Sequence, residues 1–536
     1  FWLGPMLILI FCLQLDWLPT PIYGPEGVTS FILPAITLGT ALAAILTRMI
    51  RSSLLDVIRS PYIMTAYAKG ASHCRAILRH ALRNALIPVV TILGLQFGAL
   101  LGGSIITETI FSWPGIGKEL IDAITARDYP VIQGCVLLIA FSYVLVNLLT
   151  DLTYGYLDPR IQLNTRSKHG ILAAGKLQAK WMILAGIIVM LFFTGVFIEF
   201  FTRYGVLTLL ISLVTLTGKA FFHLITFLSS RFFQVLLLLT IPVFIIRWRK
   251  NNEQSWRRFA RNHFAVAGLC ITVLFLITGI IGPSIAPYDA LKQDLQNQQQ
   301  SPTWQHPFGT DDAGRDLFSR VLDGSKVSVK VGVTVTIFSV LVGTLIGILS
   351  GMFGGWIDEC VMRFVDILLA FPGILLAIAM MAIFREKFSG QELTLLIMAL
   401  CVMGWVGYAR LARAQILSLK ESDFVAAARA LGVSNRRLIL QHFVPNIAAP
   451  IIVQATLGMA GVIIAEAGLS FLGLGIGPPH PSWGNILNTG TDVMMLSGYP
   501  YMAIFPGIFI MITVMGLNFL GDGIRDALDP QSQPRK

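Results

Sequence analysis

Four side chains in this 536-residue chain have the type and setting to do chemistry, and they come in two pairs. His80 and His442 each sit in an arginine-rich stretch, where an imidazole could pass protons near neutral pH. Glu108 and Glu466 each end an apolar run and precede a glycine-rich turn, where a carboxylate could touch a substrate or accept hydrogen bonds from backbone N–H groups. The histidines read as structural. The glutamates read as fixing the following loop, because the glycines after them demand tight backbone geometry. Asp311, Asp312 and Asp316 form a third, acidic group, which either meets a partner or is simply solvated. Hydrolytic chemistry is missing: the nearest approach to a phosphate-binding loop, Gly115-Ile116-Gly117-Lys118, lacks the spacing and the hydroxyl. No Ser/His/Asp or metal-spaced cluster is present. The six cysteines, Cys12, Cys74, Cys135, Cys270, Cys360 and Cys401, are scattered and read as packing residues.

The elements that must position both pairs are copies of one repeat. Tyr62 to Pro88 returns as Phe424 to Pro450, laying Gly70 on Gly432, His80 on His442, Asn84 on Asn446 and Pro88 on Pro450 at a constant offset of 362. The same offset lays Arg48 on Arg410 and Arg51 on Arg413. A repeat this long and polar is not the chance similarity of two apolar helices. Its pattern predicts a short helix, a glycine turn and a second helix. In the second copy Ala426, Ala427, Ala428 and Ala430 favour helix, Gly432 breaks it, and Ser434 is placed to cap the second helix. Small side chains permit close docking on a partner, which the surrounding arginines would orient. Glu108 falls on Glu466, Gly115 on Gly473 and Gly117 on Gly475 at an offset of 358, a drift of about one helical turn. Asn147, Asp151 and Leu157-Asp158-Pro159 recur as Asn518, Asp522 and Leu528-Asp529-Pro530.

The surroundings of these elements are a membrane. Hydrophobic residues make up 55% of the chain, charged residues 13%, and the mean hydropathy is +0.72, whereas soluble domains carry roughly a quarter charged residues. Thirteen apolar runs, from Trp2–Leu18 to Tyr501–Leu520, approach the length needed to cross a bilayer. The net charge of +11 does not indicate a nucleic-acid partner, because the basic residues gather in loops between those runs. Arg48 to Arg83 holds seven Lys/Arg against one acid, Arg410 to Arg437 six against two, and Arg247 to Arg261 six against one. These stretches are cytoplasmic, as is the segment with Arg160, Arg166, Lys168, Lys176 and Lys180. Asp16 to Gly27 and Gly468 to Gly498 contain neither Lys nor Arg and face outward.

Three apolar runs, Trp181–Phe201, Val206–Leu228 and Phe232–Ile246, lie between two cytoplasmic points, so one of them does not cross. The middle run carries Lys219 and His223 on one face and reads as an interfacial or re-entrant helix whose lysine snorkels. The expected total is about 12 spans. The chain opens at Phe1 inside an apolar run, without a signal-peptide pattern. Aligned on the repeat, the first half lacks two upstream spans that the second half has, and the expectation is that its own beginning is missing.

The second repeat copy, AAARALG followed by HFVPN, resembles the EAA loop of ABC importer permeases. HPFGTDDAGRDLFSR at His306 to Arg320, RFVDILLAFP at Arg363 to Pro372 and EAGLSFLGLGIGPPHPSWGNIL at Glu466 to Leu487 are similar to the C-type permease of dipeptide, oligopeptide and nickel importers. FWLGPMLILIF at Phe1, RHALRNALIPVV at Arg79 and LLGGSIITETIFSWPGIGKEL at Leu100 are similar to its B-type partner. The first loop departs from the pattern at Met64-Thr65-Ala66, and Arg83 stands where the second copy has Pro445.

The resemblance implies an all-α polytopic protein of two homologous halves fused in one chain. Residues 1–162 would be the B-type half, 163–255 a linker with two crossings and a possible interfacial helix, and 256–536 the C-type half. It implies coupling loops through Thr65, Ala66, Gly70, His80, Ala426, Ala427, Ala428, Gly432, His442 and Pro445. Outer gate or loop residues would be Glu108, Gly115, Gly117, Glu466, Gly473 and Gly475. The chain would bind no cofactor or metal of its own. ATP and Mg would sit on two partner ABC ATP-binding subunits, an extracytoplasmic solute-binding protein would deliver the cargo, and membrane lipid would surround the spans. The cargo would be di- or oligopeptides or nickel complexes, with the acidic group at Asp311 as a possible contact for the binding protein. The alternatives are an ion-coupled secondary transporter, which needs intramembrane carboxylates, and a nonconducting anchor or sensor.

Overall fold

The computed structural model describes residues 2–20, 27–58, 60–157, 253–369, 372–477 and 479–528, with 228, 230 and 240 singly. Phe1, the basic segment from Arg160 to Lys180, the three linker runs with Lys219 and His223, and Asp158-Pro159 and Asp529-Pro530 lie outside them. Among the described residues the chain is helical throughout, with one isolated bridge, Thr310 to Asp316. Seven of the described helices are long and apolar enough to span a membrane, or eight if one bent pair counts as a span.

The described residues form two bodies, one built on 27–157 and the other on 2–20, 253–369 and 373–528. In chain order the helices are α1 (Leu3–Ile8, continued by a π-turn, Leu9–Gln14), α2 (Ile32–Ile58), α3 (Pro61–Ala68), α4 (His73–Arg75), α5 (Leu82–Ile110), α6 (Ile116–Ala126) and α7 (Tyr129–Leu157). There follow α8 (Glu253–Arg261), α9 (His263–Ile285), α10 (Leu317–Phe353), α11 (Gly355–Leu369), α12 (Gly373–Phe384), α13 (Glu392–Lys420), α14 (Asp423–Ala430), α15 (Asn435–Leu438), α16 (Val444–Phe471), α17 (Trp483–Ser497) and α18 (Tyr501–Leu528).

The larger body is organised around α10, whose 37 residues extend roughly 55 Å at 1.5 Å per residue. Asp316 starts it by accepting a 2.8 Å hydrogen bond from the Ser319 N–H. Lipid tails give apolar helices no hydrophobic reason to associate, so close backbone packing must do it. Gly343, Gly347 and Gly351 supply that at four-residue spacing: a β-carbon on Gly343 would lie 2.7 Å from Tyr408 Cβ, one on Gly347 2.7 Å from Ala412 Cβ, and one on Gly351 3.0 Å from Ile416 Cβ. The three glycines therefore seat α10 directly on α13.

One expected span is not straight. The run Met362–Ile383 is divided between α11 and α12, which meet at 79°. Pro372 stands at the break, where it lacks an N–H and disfavours helix at the residue before it. Helix α11 is held by charge: Arg413 binds Asp358 through Nε at 2.5 Å and Nη2 at 2.6 Å, and Arg410 Nη2 meets Asp366 Oδ1 at 2.9 Å.

Candidate functional site

The first repeat copy begins at Ser60, whose extended backbone precedes Pro61 at the first position of α3, a place where a missing N–H costs nothing. The second begins at Ser422 in the same conformation, leading α14. Each helix ends at its glycine, Gly70 at φ +80° and Gly432 at φ +75°. The N–H of the residue after that glycine closes the turn, Ala71 to the Ala66 carbonyl at 3.1 Å and Val433 to the Ala428 carbonyl at 3.1 Å. This is the Schellman arrangement, which needs a residue at ease in the left-handed region. Ser434 has the extended backbone of a cap, yet its side chain makes no capping bond.

Thr65, Gly70 and His80 are exposed, Ala66 and His442 half-buried, and Ala426, Ala427, Gly432 and Pro445 exposed. The inward residues differ in kind. Val425 and Ala428 enter a core shared with Ile348 and Met352 of α10, Ala412 and Ile416 of α13, and Ile447 and Ile451 of α16. In the first copy Ile63 is buried. Outward, the copies present apolar side chains: Met64 and Leu78 in the first, Leu431 and Leu440 in the second.

Both copies carry a feature the sequence did not announce. Between the short helices and the long ones the backbone forms a π-turn, Ala76–Ala81 and Ile439–Phe443. Leu82 N–H reaches the Ile77 carbonyl and Val444 N–H the Ile439 carbonyl, at positions that the repeat aligns. The imidazoles ride on these turns. The His80 carbonyl accepts from the Tyr62 hydroxyl at 3.4 Å, which itself accepts from Asn84 Nδ2 at 2.8 Å, whereas the His442 carbonyl accepts from Asn446 Nδ2 at 2.6 Å.

The two outer glutamates diverge. Glu108, half-buried near the end of α5, accepts hydrogen bonds at Oε2 from the N–H groups of Gly117 at 2.7 Å and Lys118 at 3.1 Å, capping α6. Side chains are excluded there, since a β-carbon on Gly117 would lie 2.6 Å from Ile105 Cα and one on Gly115 would collide with the Glu108 carboxylate. An open cavity of about 640 Å³ adjoins this turn, lined by Lys118, Glu119 and Asp122 of α6 and by Gly134, Cys135 and Leu138 of α7. Glu466 instead is fully buried and binds side chains, Ser328 at 2.9 Å and Ser470 at 3.0 Å. Among the described residues its partners are these hydroxyls and not backbone N–H groups, so loop fixing by that route is corrected for this copy. Gly473, at φ +73°, makes the turn, and its carbonyl accepts from Arg385 at 3.1 Å. Gly475 lies against Ser470, whose Cα would be 2.7 Å from an added β-carbon.

The acidic group also differs from expectation. Asp311 and Asp316 are each 3% exposed and so are neither solvated nor open to a partner. Asp311 accepts from the N–H of Ala313 at 2.9 Å and of Arg315 at 2.8 Å, and pairs with Arg315 at 2.7 Å and Arg320 at 3.2 Å. Asp316 accepts from the Ser319 hydroxyl at 2.6 Å and holds His306 at 2.9 Å. Asp312 alone of the three is exposed. Of the cysteines, Cys12 and Cys401 are buried while Cys74, Cys270 and Cys360 are exposed, so the packing role fits only some of them.

Both copies of this short helix, left-handed glycine and π-turn lie within residues that a family model matches. The family described as "binding-protein-dependent transport system inner membrane component" fits residues 1–163 and 343–533. The chain belongs to that family. It is accordingly a multi-pass permease component of the bacterial inner membrane. Residues 253–302 also match the N-terminal TM domain of oligopeptide transport permease C. The glutathione transport system permease protein GsiD of Escherichia coli O6:K15:H31 is 42% identical over 280 residues, covering 52% of this chain and 90% of that protein. The dipeptide transport system permease protein DppC of Alkalihalophilus pseudofirmus is 39% identical over 284 residues, covering 53% and 90%. Family membership lends no support to the ion-coupled alternative.

Proposed function

We propose that this chain is the membrane pathway of an ATP-driven importer of short peptides, working by alternating access. Two partner ATP-binding subunits hold the ATP and Mg and seat the exposed faces of α3 and α14. An extracytoplasmic solute-binding protein delivers the cargo. The single observation that carries this reading is the shared core of α14: Val425 and Ala428 pack with α10, α13 and α16, so a displacement imposed on α14 moves three long helices together. Close-packed interiors transmit such a displacement rather than absorb it. In this reading residues 1–162 and 256–536 are the two halves, joined by residues 163–255. Thr65, Ala66, Gly70 and His80 form the first coupling loop, and Ala426, Ala427, Ala428, Gly432, His442 and Pro445 the second. Glu108, Gly115, Gly117, Glu466, Gly473 and Gly475 shape the outer turns.

The cargo class rests on the relatives, whose names specify glutathione and dipeptide transport. Both are short peptides, and nickel complexes are the runner-up. The test is uptake into proteoliposomes holding the chain, its ATP-binding subunits and a binding protein, with labelled dipeptide, glutathione and nickel offered in parallel. ATP-dependent uptake of a peptide is expected. ATP-independent uptake driven by an ion gradient would overturn the reading.

A further inference from the structure

The segment from Ala286 to Gly309 joins the outer ends of α9 and α10 and is not a slack connection. Asp294 N–H bonds the Ala313 carbonyl at 3.2 Å, Gln299 N–H the Asp311 carbonyl at 3.0 Å, and Thr310 N–H the Gln300 carbonyl at 3.0 Å. The Thr310 hydroxyl donates to the Asn297 carbonyl at 2.6 Å and accepts from Gln300 N–H at 2.8 Å. Gln299 is held at φ +52°, a strained value that persists only where its surroundings impose it. Beneath the strap lies the buried Asp311, Arg315 and Arg320 network, and Phe308 stacks on Phe505 with ring centroids 3.9 Å apart. The strap is therefore a stiff platform fixed to α10 and α18.

On that platform Trp304 is fully exposed, at 103%, and Leu295 is 67% exposed. An exposed indole on rigid backbone has the backbone part of its ordering cost already met, which favours binding by an aromatic anchor. Its neighbours decide between lipid and protein. Gln293, Gln296, Gln298 and Gln305 line the same strap and all four are exposed, and carboxamides pushed into hydrocarbon would lose their hydrogen bonds with water at several kcal/mol each. A tryptophan among hydrogen-bonding side chains is instead the chemistry of a protein-binding surface.

Building on the importer reading, we propose that this strap is a seat for the extracytoplasmic solute-binding protein, with Trp304 inserted in an apolar hollow of that protein and the glutamines bonding its rim. Because Trp304 is fully exposed and buries nothing among the described residues, its removal is expected to leave the fold intact. The test uses the reconstituted transporter with its ATP-binding subunits, titrated with the purified binding protein that supports uptake by the unaltered chain. Trp304→Ala is expected to raise the half-saturating concentration of binding protein about tenfold, with maximal uptake and ATPase activity without binding protein unchanged. Trp304→Phe should retain most of the affinity. A photoreactive phenylalanine at position 304 should crosslink to the binding protein. Unchanged half-saturation in the Trp304→Ala, Leu295→Ala double variant, or photoadducts to lipid alone, would overturn the proposal while leaving the importer reading intact. Absence of binding-protein-stimulated uptake in the unaltered chain would overturn both.

Discussion

The Ser328 hydroxyl donates a 2.9 Å hydrogen bond to Oε2 of Glu466, joining α10 to α16 across 138 residues of chain. With Ser470 on the other oxygen at 3.0 Å, the carboxylate is the shared acceptor of two buried hydroxyls. Glu466→Ala strands both, and a buried polar group left unmatched costs about 1–3 kcal/mol. The expected outcome is a clear fall in melting temperature in detergent. Glu108→Ala, which removes a partly exposed cap from the start of α6, should cost only about 1 kcal/mol. Equal melting temperatures for Glu466→Ala and the unaltered chain would show that the network does not bear on stability.

Gly432→Val should abolish most uptake while expression persists. A β-carbon there meets nothing within 4 Å, so the penalty is conformational, about 1–2 kcal/mol for an L-residue in the left-handed region. Gly432→Asn, which visits that region more readily, should keep much of the activity. Uptake measured beside membrane protein yield distinguishes the two variants, and full activity in Gly432→Val would remove the turn from the coupling pathway.

Gly347→Leu should destabilise the larger body by about 1–3 kcal/mol or more, because the added side chain must be forced into a packed helix interface. Gly461 in α16 is the contrast, since a β-carbon there meets nothing. Gly461→Ala is expected to be neutral or to stabilise by up to about 1 kcal/mol through helix propensity. The fraction of each variant surviving detergent extraction and heating checks both directions.

A double-mutant cycle on Arg413 and Asp358 should return a coupling of about 1 kcal/mol, as befits a two-pronged and partly buried pair. The same cycle on Arg410 and Asp366, whose side chains are 55% and 58% exposed, should give about 0.5 kcal/mol or less. Reversed magnitudes would mean that α11 is held by something other than the Asp358 pair.

The glycine turns and the helices around them were legible because their causes are local: a run of alanines, then a glycine required at positive φ. Several apolar runs, Phe31–Ile50, Ala265–Ile285 and Tyr501–Leu520 among them, were legible as long helices too, since a bilayer filters for length. Burial was not. Asp311 and Asp316 look like solvent-facing acids in a string of polar residues, and only the tertiary approach of Arg320 and His306 makes them interior. Arg315, four residues from Asp311, was the available hint. The bend between α11 and α12 was signalled by Phe371-Pro372-Gly373, but hydropathy averages across such a break. The divergence of Glu108 from Glu466 was invisible because its cause, Ser328, lies on a helix far away in sequence.

The paired π-turns set the phase of the short helices. A π-turn holds one residue more than the α-turn it replaces, and in an α-helix each residue advances the chain by about 100°. Losing that residue from one copy would swing its short helix round relative to the long helix behind it. The hydrogen bonds that define the turns run from Leu82 to Ile77 and from Val444 to Ile439, the same register in both copies. With the extra residue at the same place in both copies, each short helix leaves its long helix at the same phase.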